Sequence, residues 1–126
     1  MNNISNNFNP PKENLDTLVY LYKNGRFKDV LDKSEQMVLQ YSNSIFLHNL
    51  RGSANALLKK FDAAVECYKN ALKVNPNYAA IYNNLGNVFK EMDEIELAKN
   101  NYEQAINIKP NYAEAYYGLG LTLEKK

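Results

Sequence analysis

Between residues 79 and 107 the apolar positions follow two stripes with helical spacing. The first stripe falls at i, i+3, i+4 and i+7, which is one face of an α-helix: Tyr82, Leu85, Gly86 and Phe89. The second has the same character: Ile95, Ala98, Tyr102, Ala105 and Ile106. Residues 92–94 between them are too few to do anything but reverse the chain. The pattern therefore predicts two antiparallel helices packed along their apolar stripes.

This pattern returns along the chain with a step of 34 residues. The step relates three glycines and several pairs of apolar residues: Gly52, Gly86 and Gly120; Ala64 and Ala98; Tyr68 and Tyr102; Ala71 and Ala105; Pro76 and Pro110. Residues 76–79 recur, letter for letter, as residues 110–113. A fixed step of this length indicates a tandem repeat of one helical hairpin.

Applied along the chain, the repeat predicts seven helices. Pro110 cannot continue a helix and disfavours the helical conformation of Lys109, so it ends the sixth of them. The expected spans, uncertain by about 2–4 residues at each end, are 12–23, 27–40, 45–58, 61–74, 79–91, 95–107 and 113–124.

The spacing of aromatic and small residues within one unit resembles the tetratricopeptide-repeat family. The residues that carry the resemblance are Tyr82, Leu85, Gly86, Phe89, Ala98, Tyr102 and Pro110. The resemblance implies an all-α fold, a right-handed superhelical solenoid of antiparallel helix pairs with about 3.5 repeats. It also implies that the first helices of the pairs line a concave groove in which an extended peptide binds.

The expected domain organisation is a short tail followed by one repeat domain. Residues 1–10 are rich in asparagine and are expected to be disordered, because they bury too little apolar surface to offset their ordering entropy. The repeat domain covers residues 11–126, with units 11–44, 45–78 and 79–112 and a half unit 113–126. The unit 45–78 departs from the pattern, since it carries His48, Arg51 and Asn55 where bulky apolar groups are expected.

Composition narrows the class of partner. Apolar residues make up 45% of the chain, and 15 basic against 14 acidic residues leave a net charge of +1. A dedicated nucleic-acid or membrane-surface binder concentrates Lys and Arg, so neither partner is expected. The N-terminal sequence does not have the pattern of a secretory signal, and Cys67 is the only cysteine. We therefore expect a cytoplasmic protein without an intramolecular disulfide.

The residues that could support catalysis are few and scattered. His48 is the only histidine, and a nucleophilic pair with Cys67 would need the two side chains within hydrogen-bond reach of each other. Asp93, Glu94 and Glu96 form an acidic cluster that suits a solvated turn before a helix N-terminus. No glycine-rich phosphate loop is present. The sequence predicts no enzyme activity, no cofactor and no metal site.

We therefore expect a scaffold that binds a protein, through an extended peptide or a partner helix. The groove residues that the resemblance nominates are amides in the centre with apolar and aromatic residues on both sides: Leu15, Val19, Tyr22, Phe46, Asn49, Ser53, Leu57, Asn83, Asn84, Asn87, Lys90, Tyr117 and Leu121. Two other interpretations stay open. One is a substrate-recruiting repeat segment of a larger glycosyl- or sulfotransferase-type enzyme, and the other is an RNA-binding helical repeat, which the scarcity of groove cations disfavours.

The last predicted helix has no second helix after it. Its stripe, Tyr116, Leu119, Gly120 and Leu123, repeats the residues that face the partner helix in the preceding unit. Two explanations are open: the chain is a fragment of a longer array, or another copy of the chain covers helix 113–124. The second explanation predicts self-association through this helix.

Overall fold

The computed structural model describes residues 8–125, and these contain seven α-helices and no strand. Their bounds are α1 Lys12–Lys23, α2 Phe27–Gln40, α3 Ile45–Leu57, α4 Phe61–Val74, α5 Ala79–Glu91, α6 Ile95–Ile108 and α7 Ala113–Glu124. Five helices have the predicted bounds. Helix α3 ends one residue earlier than predicted, and α6 one residue later. The prediction of an all-α chain of seven helices is confirmed.

The helices form two compact units that divide between Val74 and Asn75. Unit 1 contains α1 to α4, and unit 2 contains α5 to α7. The boundary lies in the connection between the second and third predicted repeats. Most of the predicted disordered tail lies outside the described residues. Of its last three residues, Pro10 is buried and Asn9 accepts a hydrogen bond of 2.6 Å from the Ser44 hydroxyl.

Each helical hairpin reverses through the same backbone conformation. Gly25, Lys59 and Asp93 lie 34 residues apart and all have positive φ, of 74°, 62° and 60°. The next residue, Arg26 in the first turn, donates its N–H to the carbonyl of Leu21 at 2.9 Å, and the other two turns repeat this bond. Such bonds satisfy carbonyls that the helix end leaves without a partner.

The core of unit 1 is built by α1, α2 and α3, with α4 packed against α3. Leu18, Leu21, Val30, Leu47 and Ala54 form its buried cluster. Helix α4 is held differently, because the Tyr68 ring lies against the backbone of Gly52, where a Cβ atom would come within 2.6 Å of it. A glycine at this position lets α3 and α4 approach closely enough for the ring to fill the space.

In unit 2 one tyrosine joins three helices. The Tyr102 ring on α6 is completely buried and lies between Gly86 of α5 and Gly118 of α7. A Cβ atom on Gly86 would come within 2.7 Å of the ring, and one on Gly118 within 2.5 Å. The sequence identified the close approach at Gly86 but missed Gly118, because no residue in the neighbouring units marks that position as a glycine.

Two tyrosines assigned to the repeat core lie nearer the surface than expected. Tyr82 is half-buried, and Tyr116 is 51% exposed. Both hydroxyls instead donate to a carbonyl six residues earlier, that of Pro76 at 2.8 Å and that of Pro110 at 3.1 Å. Each side chain therefore ties the start of its helix to the preceding loop.

Candidate functional site

The nominated residues of unit 2 lie on equivalent faces of two helices that contact each other, α5 and α7. Asn83 and Asn87 of α5 correspond, one repeat on, to Tyr117 and Leu121 of α7. Tyr117 is 72% exposed, Asn87 is exposed and Leu121 is half-buried. The unit 2 face, as we call Asn83, Asn84, Asn87, Lys90, Tyr117 and Leu121, thus combines amides on one helix with an aromatic and an aliphatic side chain on the next.

Asn87 is held in place by the buried tyrosine behind it. The Tyr102 hydroxyl donates to Oδ1 of Asn87 at 2.5 Å. In unit 1 the Tyr68 and Ser53 hydroxyls are 2.9 Å apart, and both members of this pair are one repeat earlier in the sequence. Burial raises the pKa of both tyrosines to about 12, so both are neutral donors at physiological pH. The tyrosine therefore fixes the orientation of a side chain on the first helix of each pair.

Asn83 is the one described residue with a buried side-chain atom that lacks a partner. The side chain is 7% exposed, and its Oδ1 has no hydrogen bond. Leaving a buried acceptor unsatisfied costs about 1–3 kcal/mol. Packing alone does not explain an asparagine at this position, because an apolar residue of similar size would avoid that cost.

The nominated residues of unit 1 divide into exposed and packed groups. Phe46 is 39% and Leu57 53% exposed, so both are open to contact on α3. Leu15 and Tyr22 pack against the unit 1 core, and the Tyr22 ring meets Phe27 edge-on with the ring centroids 5.3 Å apart. The remaining three are half-buried: Val19, Asn49 and Ser53. The exposed contact area in this unit is therefore mainly on α3.

The stripe on α7 that repeats the partner-facing residues of α5 is open. Tyr116 and Leu123 are 51% and 45% exposed, and a Cβ atom added to Gly120 would meet nothing within 4 Å. At the equivalent positions of α5, Leu85 and Phe89 are 3% and 9% exposed, because α6 covers them. We call Tyr116, Leu119, Gly120 and Leu123 the outer stripe of α7.

The side chains that could form a nucleophilic pair have other partners. His48 Nε2 lies 2.7 Å from the carbonyl oxygen of Ser42, and the Cys67 sulfur accepts from Asn55 Nδ2 at 3.6 Å. Burial raises the pKa of the Cys67 thiol, and the nearby Arg51 guanidinium lowers it by a smaller amount. Among residues 8–125 no group of three or more His, Cys, Asp or Glu is placed to hold a metal ion. No described helix is long and apolar enough to cross a membrane.

Solved structures with this fold are numerous, and three are informative. MamA is 29% identical with a TM-score of 0.84; the alignment covers 89% of this chain and 66% of MamA, so the chain spans about two thirds of that protein. The first TPR of Spaghetti (RPAP3), bound to an HSP90 peptide, is 23% identical with a TM-score of 0.85 over 94% of this chain and 96% of its own.

The third structure is the Yersinia enterocolitica type III secretion chaperone SycD, in complex with a peptide of the translocator YopD. It is 11% identical with a TM-score of 0.84 over 91% of this chain and 94% of its own. At this identity the likeness concerns the fold alone. Comparison with curated protein sequences gives no match.

The sequence also matches a family model described as TPR repeat, over residues 52–93 and 90–126. These two matches cover more than half of the chain, and they include the glycines and tyrosines that pack α3 on α4 and α5 on α6. The chain is a member of the tetratricopeptide-repeat family.

Proposed function

We propose that this chain is a protein-interaction module that binds an extended peptide or a partner helix on the first helices of its repeats. The observation that carries the proposal is the unit 2 face, where Tyr102 fixes Asn87 beside the exposed Tyr117. An amide held by its oxygen keeps its Nδ2 group as a donor for a peptide carbonyl. A rigid aromatic ring with little conformational entropy to lose is a good contact surface.

Two further observations support a peptide ligand. The Asn83 acceptor without a partner would be satisfied by a peptide N–H if binding opened access to it. Structures of the same fold are described as complexes with peptides, both for Spaghetti and for SycD. The alternative of a substrate-recruiting segment of a larger enzyme stays a prediction and would use the same surface.

The test is selection from a peptide library followed by affinity measurements on variants. Asn87→Ala should weaken a selected peptide by about 0.5–1.5 kcal/mol, because it removes one hydrogen bond. Glu103→Lys is the control, since Glu103 is exposed on α6, away from the unit 2 face. Selected peptides whose affinity depends on Glu103 and not on Asn87 would contradict the proposal.

We further propose that two copies of the chain associate through the outer stripe of α7. The stripe repeats residues that α6 covers on α5, and it leaves Tyr116 and Leu123 half in water. Burying one such side chain contributes roughly 1.5–3 kcal/mol, so a few of them suffice for association at high concentration.

Sedimentation equilibrium tests this second proposal. The chain should form dimers at millimolar concentration, and Leu123→Glu should be monomeric. Leu97→Glu on α6 is a matched control, because Leu97 is exposed to nearly the same extent, 44% against 45%. A monomeric wild-type chain, or equal effects of the two substitutions, would show that the outer stripe is not an interface between copies.

A further inference from the structure

The second repeat carries three polar residues on the face of α3 that packs against its neighbours. His48, Arg51 and Asn55 stand where the third repeat has Tyr82, Leu85 and Phe89. His48 and Asn55 are each 6% exposed, so they are about as buried as the apolar residues that they replace.

Each of the three is stabilised by hydrogen bonds within unit 1. His48 bonds to the carbonyl of Ser42, and Asn55 Nδ2 donates to the Arg51 carbonyl at 3.0 Å. Nη1 of Arg51 donates to the Leu31 carbonyl at 2.9 Å and to the Ser34 hydroxyl at 2.6 Å, which anchors the guanidinium on α2. Burying these groups still requires their desolvation, which the apolar set in unit 2 avoids. Stability alone therefore does not explain the polar set.

The polar set faces a cavity of about 450 Å³ in unit 1. Helices α2 and α4 and residues 42–43 form its walls together with α3. Its lining residues are Val38, Leu39, Ser42, Asn43, His48, Arg51, Cys67, Asn70, Lys73 and Val74. The volume lies within the range of roughly 300–1,000 Å³ that is usual for pockets that bind small molecules.

The lining combines positive charge with an apolar wall. Arg51 and Lys73 are cations, Asn70 adds an amide, and no lining residue is Asp or Glu. Val38, Leu39 and Val74 supply aliphatic surface. A guanidinium held rigidly at one end suits a planar carboxylate, because its N–H groups match the two oxygens. The complementary ligand has a carboxylate at one end and a short apolar body.

We propose that this cavity is a binding site for a small organic carboxylate. It is separate from the proposed peptide-binding surface. At 3.6 residues per turn, the groove residues Phe46, Asn49 and Ser53 lie on the side of α3 opposite to His48 and Arg51. Occupancy of the cavity and binding of a peptide are therefore measured independently.

Cys67 supplies a specific probe, since it lines the cavity and is the only cysteine of the chain. The experiment measures the rate at which iodoacetamide, a neutral reagent, alkylates Cys67 in the full chain, with and without hexanoate. Hexanoate should slow alkylation in a saturable way and should shift the amide NMR signals of Asn70 and Lys73. Acetate should protect more weakly because it lacks the apolar body, and hexylammonium should not protect.

Variants separate charge from packing. Arg51→Leu restores the residue type of Leu85, so the chain is expected to fold, and it should bind hexanoate about tenfold or more weakly, since a charged hydrogen bond is lost. Lys73→Gln should also weaken binding and serves if Arg51→Leu does not fold. Lys69→Gln is the control, because Lys69 is exposed on α4 outside the cavity.

Three results would overturn the proposal. The first is that millimolar hexanoate leaves the alkylation rate and the NMR signals of Asn70 and Lys73 unchanged. The second is that hexylammonium protects Cys67 as well as hexanoate does, which would mean an apolar pocket without anion selectivity. The third is that the folded Arg51→Leu and Lys73→Gln variants both bind hexanoate with wild-type affinity.

Discussion

At the residue scale, two helical glycines of unit 2 occupy opposite environments. The space above Gly86 is filled by the Tyr102 ring, whereas a Cβ atom added to Gly120 would have no neighbour within 4 Å. The sequence step of 34 residues makes the two equivalent, but the presence of a neighbouring helix does not repeat with the sequence.

This contrast predicts opposite effects of one substitution. Gly86→Ala should lower the free energy of unfolding by about 1–3 kcal/mol, because the methyl group forces the buried ring to move. Gly120→Ala should leave it unchanged or raise it by up to about 1 kcal/mol, since alanine is the better helix former. Chemical denaturation of the two variants measures both effects. A similar change in both would mean that Tyr102 does not limit the space at Gly86.

Tyr68 and Tyr102 make stability depend on alkaline pH. Burial raises the pKa of each from its ordinary value of 10.0 to about 12. The folded state thus holds these protons more tightly than the unfolded state. Their contribution to stability is complete below pH 10 and is lost as pH rises through about 12.

Urea unfolding measured at a series of pH values should therefore show falling stability across this window. Tyr102→Phe should make the fall less steep, although it also removes the bond to Asn87 and so lowers stability at neutral pH. An equally steep fall in Tyr102→Phe would show that other groups cause the alkaline loss.

At the element scale, the three hairpin turns share a left-handed residue, and only the first uses glycine for it. Lys59 and Asp93 adopt the same conformation with a side chain. A left-handed residue other than glycine is strained by about 1–2 kcal/mol, whereas glycine costs about 0.5–1 kcal/mol in unfolded-state entropy.

Lys59→Gly should therefore stabilise the chain by about 0.5–1 kcal/mol, the difference between these two effects. The measurement is again the free energy of unfolding. Lys69→Gly, an exposed position within α4, should destabilise by about 1 kcal/mol because glycine is a poor helix former. Destabilisation by Lys59→Gly would argue that the lysine side chain contributes to the turn.

At the scale of the whole molecule, the proposed self-association links stability to protein concentration. Association of folded chains stabilises them by mass action, so Tm should rise with protein concentration. Leu123→Glu should remove this dependence, and Leu97→Glu should retain it. A wild-type Tm that is constant from micromolar to millimolar concentration would contradict an interface on the outer stripe of α7.

The sequence by itself determined the repeat, the seven helices and their bounds. These properties depend on local signals, namely the spacing of apolar residues, the short polar connections and Pro110, and the repeat states each signal more than once. It also nominated Asn87 and Tyr117 for the candidate site. It did not predict the left-handed Lys59 and Asp93, because neither residue type favours that conformation.

Only the tertiary structure decided which side chains have neighbours. The bond from Tyr102 to Asn87, the packing of Gly118 on the same ring and the exposure of Tyr116 join or separate residues that lie far apart in sequence. The same holds for the cavity beside Arg51, which three helices enclose together. Periodicity indicates which face of a helix is apolar, but the packing of other helices determines whether that face is covered, because burial depends on contacts that no local pattern encodes.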